Sequence, residues 1–491
     1  MQKKINSIWN PIIKNQNLLL ICFFTVVVGY VGMIKNNDLI YDSLIYSQLS
    51  YTFTDQGIFN FVSFTPDIRG YLYPFIIHIF SVIGSPIGLS LRTSNIIANA
   101  FLVSTIITVI YSSFFQKQKT WISLLIKSII LLLFYVFWTD LIFYTLSDIW
   151  GIGFLIISIY FFNLVIAAPN SIKALLFSFV SGVFLYGAYN IRPIYLFTIP
   201  FILAVFIYSL IKSQKKVRSF LLPLVLSALG ILICALPEMA INMHNLNTPT
   251  PFVRTNIGGS NLFLMQLEWG TYILRFDAVQ ISNLSLFETK YLYHVIKAKE
   301  SVDNAYIGAL SFKDPVAMAV FKDQMNSDTT LMDFIKLVFS NLPLYLKVSL
   351  TKLVNVFYMP YNYVYIKKLY NYFSFYAVLN YTLCFFSFLE IFRTIALHKK
   401  NKERLFNTNV VFLLITMIPC LILLLSACEA RFFIPLYILL YCVFGFRCLT
   451  RDFLSFLFSN KIKVGFAFFS LLILLSFIWK YIFLTATTIP Y

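Results

Sequence analysis

Two carboxylates stand out in this chain because each lies beside hydroxyl or aromatic residues within an otherwise apolar sequence. Asp42 opens the segment Asp-Ser-Leu-Ile-Tyr, and Tyr46 would follow it one helical turn later on the same face. Asp148 ends the segment Tyr-Thr-Leu-Ser-Asp, directly before a long apolar run. A carboxylate can accept the proton of a hydroxyl nucleophile, so two carboxylates around one reacting group predict acid–base chemistry.

Each carboxylate also has a structural interpretation. Asp42 can be an ordinary solvated carboxylate at a membrane edge, and Asp148 can cap the N-terminus of the helix that follows it. Asp38 lies one turn before Asp42 on the same helical face and competes with it for a catalytic role. Asp55 and Asp67 are farther away and have the surroundings of loop residues. The choice between Asp38 and Asp42 stays open.

Arginines supply the positive charge that such a site needs if its substrate carries phosphate. A planar guanidinium can bind phosphate through two parallel hydrogen bonds. The candidates stand near aromatic, proline or acidic residues: Arg69 before Tyr71 and Tyr73, Arg192 before a proline, and Arg431 shortly after Glu429. Arg192 and Arg431 can each instead be a side chain at the end of an apolar helix that only extends its charge to water. Glu429 and Arg431 can also neutralise each other.

The composition places these residues in a membrane protein. Hydrophobic residues make up 59% of the 491 residues and charged residues only 12%, an apolar excess that no soluble domain of this length needs for its core. The net charge of +18 comes from residues that lie between apolar runs, without the aromatic-interleaved stripe of a nucleic-acid site. The expected partner is therefore a lipid bilayer and no nucleic acid, and the basic clusters indicate cytoplasmic loops.

The apolar runs predict an all-α polytopic fold with about eleven transmembrane helices. The predicted spans are 17–34, 93–116, 120–138, 149–167, 173–190, 194–211, 219–237, 372–394, 409–427, 432–448 and 462–484. With the basic clusters inside, the N-terminus is cytoplasmic, and Asp42, Arg69 and Asp148 share the outer face. Residues 70–84 are apolar but short and contain a proline, so we expect an interfacial or re-entrant helix there.

This topology predicts three segments. They are an N-terminal membrane module of residues 1–237 whose first outer loop, 35–92, carries the catalytic candidate, an outer-face substrate-handling segment of residues 238–371, and C-terminal transmembrane helices in residues 372–491. Within the central segment, residues 343–353 have apolar residues at helical spacing together with Lys347 and Lys352. The pattern predicts an interfacial amphipathic helix. Lys352 could then approach a phosphate, but a contact with lipid headgroups is favoured.

Other kinds of chemistry find little support in the sequence. The seven cysteines lie in or beside apolar runs and the four histidines are scattered, so neither a disulfide framework nor a histidine-bound metal is predicted. No Walker A loop or dinucleotide-binding glycine motif occurs. No cofactor is firmly expected, although two carboxylates can coordinate a divalent metal, and metal dependence stays open.

The order of these motifs along the chain resembles the glycosyltransferase C superfamily. Asp-x-x-x-Tyr after the first span is followed by Arg-Gly-Tyr-x-Tyr-Pro, by Ser-Asp opening a span, by Arg-Pro and by Glu-x-Arg-Phe-x-x-Pro. Polytopic members of this superfamily include protein mannosyltransferases, aminoarabinose transferases and bacterial polysaccharide-modifying glucosyltransferases. The chain departs from many relatives in Asp148, where glutamate is frequent, and in Leu72, where proline or glycine often precedes Tyr-Pro.

The resemblance implies an outward-facing glycosyltransferase that takes a sugar from a polyprenyl-phosphate carrier. Asp42 matches the general base, and Asp148 matches a residue that binds or orients substrate. The implied donor-phosphate ligands are Arg69, Arg192 and Arg431, and the implied substrate contacts are Tyr46, Tyr71, Tyr73 and Glu429.

The implied reaction transfers a sugar, with glucose as the first guess, from an undecaprenyl-type phosphate to a surface glycan or glycolipid such as the O-antigen of lipopolysaccharide. We expect it at the periplasmic face of a bacterial inner membrane, with inversion at the anomeric carbon. Two alternatives stay open: a flippase or exporter of polysaccharide or lipid-linked sugar, and an O-antigen-type polymerase. A flippase would need charges along several mid-membrane helices, where Lys127 is nearly alone.

Overall fold

The computed structural model divides the chain into two compact units. The described residues are 15–34, 42–55, 58–65, 69–115, 120–167, 171–213, 217–254, 256–257, 260–280, 307–324, 330–357, 375–400, 408–426, 429–484 and 486–489. The first unit comprises residues 1–134, 141–254 and 394–419, and the second comprises residues 135–140, 255–393 and 420–491.

Long apolar helices make up most of the described structure. In the described part of the chain, ten helices are long and apolar enough to cross a membrane, or up to eleven if one bent pair counts as a single span. A bilayer offers no hydrogen bonds to the backbone, so apolar runs of this length fold as helices that satisfy their own N–H and C=O groups. The prediction of an all-α polytopic membrane protein is confirmed, and the chain is an integral membrane protein.

The first unit is a helical bundle with a short hairpin near its N-terminal end. Its helices are α1 (Gln16–Ile34), α2 (Asp42–Tyr51), α3 (Leu72–Gly84), α4 (Leu91–Phe115), α5 (Trp121–Phe143, partly in the second unit), α6 (Asp148–Ala167), α7 (Ile172–Ile191), α8 (Ile199–Ser213) and α9 (Val217–Leu246). Strands β1 (Thr54–Asp55) and β2 (Ile58–Phe59) pair antiparallel after α2. Helix α7 packs between α6 and α9, and α1 packs on α4.

Helix starts place the two candidate carboxylates. Asp42 is the first residue of α2 and Asp148 is the first residue of α6. Unpaired backbone N–H groups make a helix N-terminus partly positive, which favours an acidic residue there. Each helix start therefore fixes one carboxylate in place.

The second unit combines helices with a small sheet. The remaining helices are α10 (Leu262–Tyr272), α11 (Pro315–Phe321), α12 (Leu331–Ser340), α13 (Leu342–Phe357), α14 (Phe375–Lys400), α15 (Thr408–Ile415, in the first unit), α16 (Ile418–Leu425), α17 (Ile434–Val443), α18 (Arg451–Ser459) and α19 (Lys461–Leu484). The described strands are β3 (Asn256–Ile257), β4 (Ser260–Asn261), β5 (Ile273–Gln280), β6 (Ile307–Lys313) and β7 (Ala486–Ile489). Strands β5, β6 and β7 form one antiparallel sheet, in which Ala309 lies opposite both Ala278 and Ile489.

The second unit has its own apolar core between the sheet and the neighbouring helices. Buried side chains of α10, α11, α13, α14 and α19 meet there, among them Tyr272, Phe321, Val348 and Tyr381. Described residues of the central segment, from α10 to α13, therefore contribute helices and strands to the core of the second unit.

Some element boundaries differ from the predicted spans. Within the predicted span 409–427, the described residues form the two short helices α15 and α16 instead of one long helix, because Pro419 cannot donate the backbone hydrogen bond that would continue the helix. Helix α9 continues to Leu246, beyond the predicted end at 237. The apolar helix Leu72–Ile87 is shorter than a span, as expected, and its place relative to the bilayer stays a prediction.

Candidate functional site

The first carboxylate–arginine pair joins the start of α2 to the segment before α3. The Nη2 of Arg69 donates to the Oδ1 of Asp42 at 2.7 Å. A hairpin and a short 3-10 helix separate the two residues in the chain, so the fold brings them together rather than local sequence. The Asp42 side chain is 30% exposed, against 13% for Arg69, and a ligand can therefore reach this carboxylate.

The second pair joins the start of α6 to the end of α7. The Nη2 of Arg192 donates to the Oδ1 of Asp148. Arg192 follows α7 in extended backbone, with Pro193 after it. Its aliphatic stem lies on Gly151, where a Cβ would approach both Arg192 Cγ and Tyr195 Cε2 to 2.8 Å. The Asp148 side chain is only 3% exposed, so this carboxylate anchors its arginine from inside the protein.

Tyr46 connects the two pairs. The guanidinium of Arg69 lies over its ring, with Cζ 5.1 Å from the ring centroid, a cation–π geometry. The Tyr46 hydroxyl donates to Ser147 Oγ at 2.9 Å, and Ser147 directly precedes the second carboxylate. A further bond runs from Thr145 Oγ1 to the backbone oxygen of Ser43 at 2.5 Å. The starts of α2 and α6 are therefore tied to each other.

The electrostatics of Tyr46 show that both arginines are near its hydroxyl. Burial raises the pKa of Tyr46 above its ordinary value, Arg69 lowers it, Asp42 raises it again and Arg192 lowers it. The net shift is upward, so the phenol stays neutral and donates its hydrogen bond at neutral pH. The structure thus gathers Asp42, Arg69, Tyr46, Asp148 and Arg192 into one cluster, which we call the paired-charge site.

Tyr71 and Tyr73 lie beneath this site in the protein core. Tyr71 is 3% exposed, and its hydroxyl donates to the backbone oxygen of Cys234 at 2.9 Å. Tyr73 is fully buried and meets Tyr46 edge to face, with 4.9 Å between ring centroids. The Tyr73 ring thus supports Tyr46 from inside, whereas the Tyr71 hydroxyl is held by α9. The contact with substrate that was expected of Tyr46, Tyr71 and Tyr73 stays a prediction.

A buried network behind the site was missed in the sequence. Because α9 extends past 237, it includes Glu238, which is fully buried. Glu238 Oε2 accepts from Asn190 Nδ2 at 2.8 Å and, at 3.5 Å, from the backbone N–H of Tyr71. An ionisable residue inside a span is costly and usually has a function. The available signal was a carboxylate directly after the apolar run that ends with Pro237.

The predicted residues Glu429 and Arg431 lie in the second unit and pair with each other. Arg431 Nη2 donates to Glu429 Oε1 at 3.2 Å, and Arg431 Nε lies 2.6 Å from Glu429 Oε2 in the ion pair. The guanidinium also lies over the Phe432 ring, with 5.3 Å to the centroid. The alternative of a mutually neutralising pair therefore describes the geometry. Phosphate binding by Arg431 and substrate contact by Glu429 stay predictions.

Lys352 is buried rather than exposed to lipid headgroups. Helix α13 forms where the amphipathic pattern predicted it, but Lys352 on this helix has no exposed surface. Its ammonium donates to the backbone oxygens of Gly270, Leu424 and Ser426, at 3.1 Å for Leu424 and 3.0 Å for Ser426. The expectation of a headgroup contact was wrong because helical spacing identifies a face of α13 but not what covers that face. Lys352 fastens α10 and α13 to the end of α16.

The choice between Asp38 and Asp42 and the dependence on a metal ion both stay open. Asp38, the competitor of Asp42, lies outside the described residues. Within the described ranges, no group of three or more His, Cys, Asp and Glu side chains is arranged to hold a metal ion. Metal dependence is therefore a matter for experiment.

The fold and the site define a class: a polytopic helical membrane protein with paired carboxylates and arginines at its helix ends. No family model matches the chain, and no curated protein matches it. Among solved structures the chain is similar to the archaeal oligosaccharyltransferase AglB from Archaeoglobus fulgidus in complex with an inhibitory peptide and a dolichol-phosphate, with 13% identity and a TM-score of 0.46. The match covers 96% of this chain but 56% of AglB, so the chain spans little more than half the length of that protein.

Proposed function

We propose that this chain is a membrane glycosyltransferase that moves a sugar from a polyprenyl-phosphate carrier to an acceptor hydroxyl. The observation that carries the proposal is the paired-charge site, in which the accessible carboxylate of Asp42 pairs with Arg69 and the buried carboxylate of Asp148 pairs with Arg192. The motif order that resembles the glycosyltransferase C superfamily supports the same assignment. As finer proposals, the donor is an undecaprenyl-linked sugar, glucose first, and the acceptor is a surface glycan such as O-antigen at the periplasmic face.

Asp42 is the proposed general base. A sugar hydroxyl is a weak nucleophile, so a carboxylate within hydrogen-bond reach must accept its proton while the bond between C1 and the phosphate oxygen breaks. Asp42 suits this task better than Asp148, since its side chain is 30% exposed and that of Asp148 is 3% exposed. A single displacement at C1 inverts the anomeric centre and needs no covalent glycosyl-enzyme intermediate.

The arginines are the proposed ligands of the leaving phosphate. A guanidinium presents five N–H donors in a fixed fork, so one arginine can hold a carboxylate and a phosphate oxygen together. Positive charge at the leaving group stabilises the anion that develops as the sugar departs. We assign this role to Arg69 and Arg192, and keep Arg431 as a third proposed ligand.

A flippase is the less favoured alternative because the buried charges within spans have local partners. Lys127 donates to Asn17 Oδ1 at 2.7 Å, and Glu238 accepts from Asn190. Glu390 accepts from Arg393 at 2.6 Å. Each of these contacts satisfies a single charge. An O-antigen-type polymerase would also use an outward-facing site, and the donor in a transfer assay separates it from the favoured function.

The decisive test is transfer by purified protein with undecaprenyl-phosphate-glucose as donor and O-antigen glycolipid as acceptor. We expect Asp42→Asn to lower turnover by about 10²-fold or more, because the amide cannot accept the proton. The matched control is Asp452→Asn, the same change at an exposed residue in the first turn of α18, which should keep full turnover. Turnover by Asp42→Asn at the level of the unaltered protein would rule out Asp42 as the base.

A further inference from the structure

Asn190 holds the chain segments of both site arginines at once. It lies in the last turn of α7, and Arg192 directly follows that helix. Its Oδ1 accepts the backbone N–H of Leu72 at 2.9 Å, and Leu72 opens α3, shortly after Arg69. One amide side chain therefore spans the distance between the backbone that carries Arg69 and the backbone that carries Arg192.

Gly70 lets the two segments approach closely enough for this bond. A Cβ at Gly70 would collide with the backbone oxygen of Asn190 and with its side-chain amide, Cγ at 2.6 Å. The backbone next to Arg69 thus lies directly on the end of α7. No side chain larger than hydrogen fits at this junction without moving one segment away from the other.

Glu238 fixes the orientation of the Asn190 amide. Its Oε2 accepts from Asn190 Nδ2 at 2.8 Å and from the Tyr71 N–H at 3.5 Å, so one carboxylate oxygen also touches both segments. Asn242, one turn later in α9, donates to the backbone oxygens of Thr250 at 2.8 Å and Phe252 at 3.0 Å. Both Asn190 and Glu238 are fully buried, which locks their rotamers in this arrangement.

We propose that Asn190 and Glu238 form a positioning pair that sets the spacing between Arg69 and Arg192, so that both arginines meet the same phosphate group. This inference rests on the proposed function, since it takes the phosphate of the lipid carrier as the shared ligand. Neither residue of the pair touches substrate. Burying the Glu238 carboxylate in a span costs free energy. A need for a fixed spacing between Arg69 and Arg192 in binding and transfer explains why the chain keeps this carboxylate.

The test compares Asn190→Ala, Glu238→Ala and Glu238→Gln with the control Ser178→Ala. Ser178 is buried in the same helix as Asn190 but bonds to a carbonyl of its own helix, Ala174 O at 2.8 Å. Binding of undecaprenyl phosphate in nanodiscs and the separate kcat and KM for sugar transfer are measured. Hydrogen exchange of the peptide covering residues 69–75 reports the local backbone without any ligand.

We expect Asn190→Ala to weaken undecaprenyl phosphate binding by about tenfold, because the backbone next to Arg69 loses one buried hydrogen bond. The rate kcat should fall by up to about 10²-fold, because small displacements of reacting groups have effects of that size. Exchange in the 69–75 peptide should rise, since the Leu72 N–H loses its acceptor. Glu238→Gln should bind more tightly than Glu238→Ala, because its amide oxygen can still accept from Asn190.

Partial unfolding is distinguishable from lost positioning, because it reduces the number of active molecules without changing their dissociation constant. Binding by Asn190→Ala equal to that of Ser178→Ala would overturn the positioning pair, whatever the exchange result. Unchanged exchange in the 69–75 peptide would overturn it as well. If the unaltered protein neither binds undecaprenyl phosphate nor transfers sugar from it, the proposed function fails, and the inference about the shared phosphate fails with it for that separate reason.

Discussion

The charged side chains of the two units are satisfied in different ways. In the first unit, the paired-charge site joins carboxylates and arginines from separate helix ends, and Asp42 remains open to a ligand. In the second unit, Lys352 is enclosed by backbone oxygens, and Asp314 caps α11 while it pairs with Lys347. Charges with a reachable surface are able to do chemistry, whereas enclosed charges hold elements together.

A charged side chain that is neutralised by a partner can still bind a ligand if the ligand can reach it. Two adjacent carboxylate–arginine pairs carry no net charge, yet an incoming phosphate can take donors from Arg69 and leave Asp42 with more negative charge to accept a proton. Lys352 cannot give its donors to an incoming phosphate in this way, since its ammonium is fully buried among backbone oxygens. Variants in the paired-charge site should alter binding and transfer, and variants of enclosed charges such as Lys352 should alter stability.

The largest expected effect is on the buried member of the paired-charge site. Asp148→Ala leaves Arg192 without its carboxylate in a partly buried place, so we expect a loss of about 3 kcal/mol in stability and a loss of transfer of about 10²-fold or more. Thermal unfolding and the transfer assay measure the two effects. The double variant Asp148→Ala with Arg192→Ala should regain part of the stability and none of the transfer. Equal unfolding temperatures for the single and double variants would contradict a coupled pair.

A smaller effect is expected from the arginines themselves. Arg192→Ala should weaken undecaprenyl phosphate binding by about tenfold or more, because a charge-assisted hydrogen bond contributes about 1.5–3 kcal/mol. The affinity of Arg192→Lys should lie between that of the unaltered protein and that of Arg192→Ala, since a lysine keeps the charge but loses the planar fork. Binding isotherms in nanodiscs give the comparison. Unchanged affinity in Arg192→Ala would remove this residue from the phosphate site.

Much of the fold was predictable because a bilayer forces long apolar runs to be helical, whatever their detailed sequence. Asp42, Arg69 and Asp148 were predicted to share one face, but their pairing through Tyr46 and Ser147 was not, since the contacts cross long stretches of chain. These distances are set by helix packing and not by spacing in the sequence.

Two predictions about buried charged residues were wrong, each for an identifiable physical reason. Glu238 was placed in the outer-face segment that starts at residue 238, because hydropathy ends a span at the first charge, although a helix can continue when a buried amide donates to that charge. Lys352 was assigned to the surface because an amphipathic pattern does not show which neighbouring element covers the polar face. Both errors concern buried polar groups, whose partners lie far away in the chain.

Lys352 offers a test of the enclosed class of charge. Lys352→Met removes the donor to three backbone oxygens, and a buried acceptor left without a partner costs about 1–3 kcal/mol, so the unfolding temperature should fall. The control Lys336→Met changes a side chain that is 72% exposed and should alter stability by less than about 0.5 kcal/mol. Undecaprenyl phosphate affinity should be unchanged in both. Weaker affinity in Lys352→Met without loss of stability would place this lysine in the binding machinery instead.

The smallest expected effect is the pH dependence of the Asp314 cap. Burial opposes the charge of Asp314, but the Ala317 N–H at 3.0 Å and Lys347 at 2.9 Å, together with the Val316 N–H, outweigh it and lower the pKa of this carboxyl below its ordinary value. A lowered pKa means that the ionised cap stabilises the folded state above the unfolded pKa of about 3.9 and that this contribution is lost as pH falls through the folded pKa.

Asp314→Asn keeps a capping oxygen and removes the charge, so its unfolding temperature should lie below that of the unaltered protein at pH 7. The difference should shrink as pH falls below the unfolded pKa of about 3.9 and through the lower folded pKa, where the unaltered carboxyl takes up its proton. Thermal unfolding in detergent, from neutral to acidic pH, measures this difference in unfolding temperature. Because Asp314 belongs to the enclosed class of charges, transfer at pH 7 should be the same for both proteins at temperatures well below unfolding. A constant gap in unfolding temperature down to low pH would show that the cap acts through its shape and not through its charge.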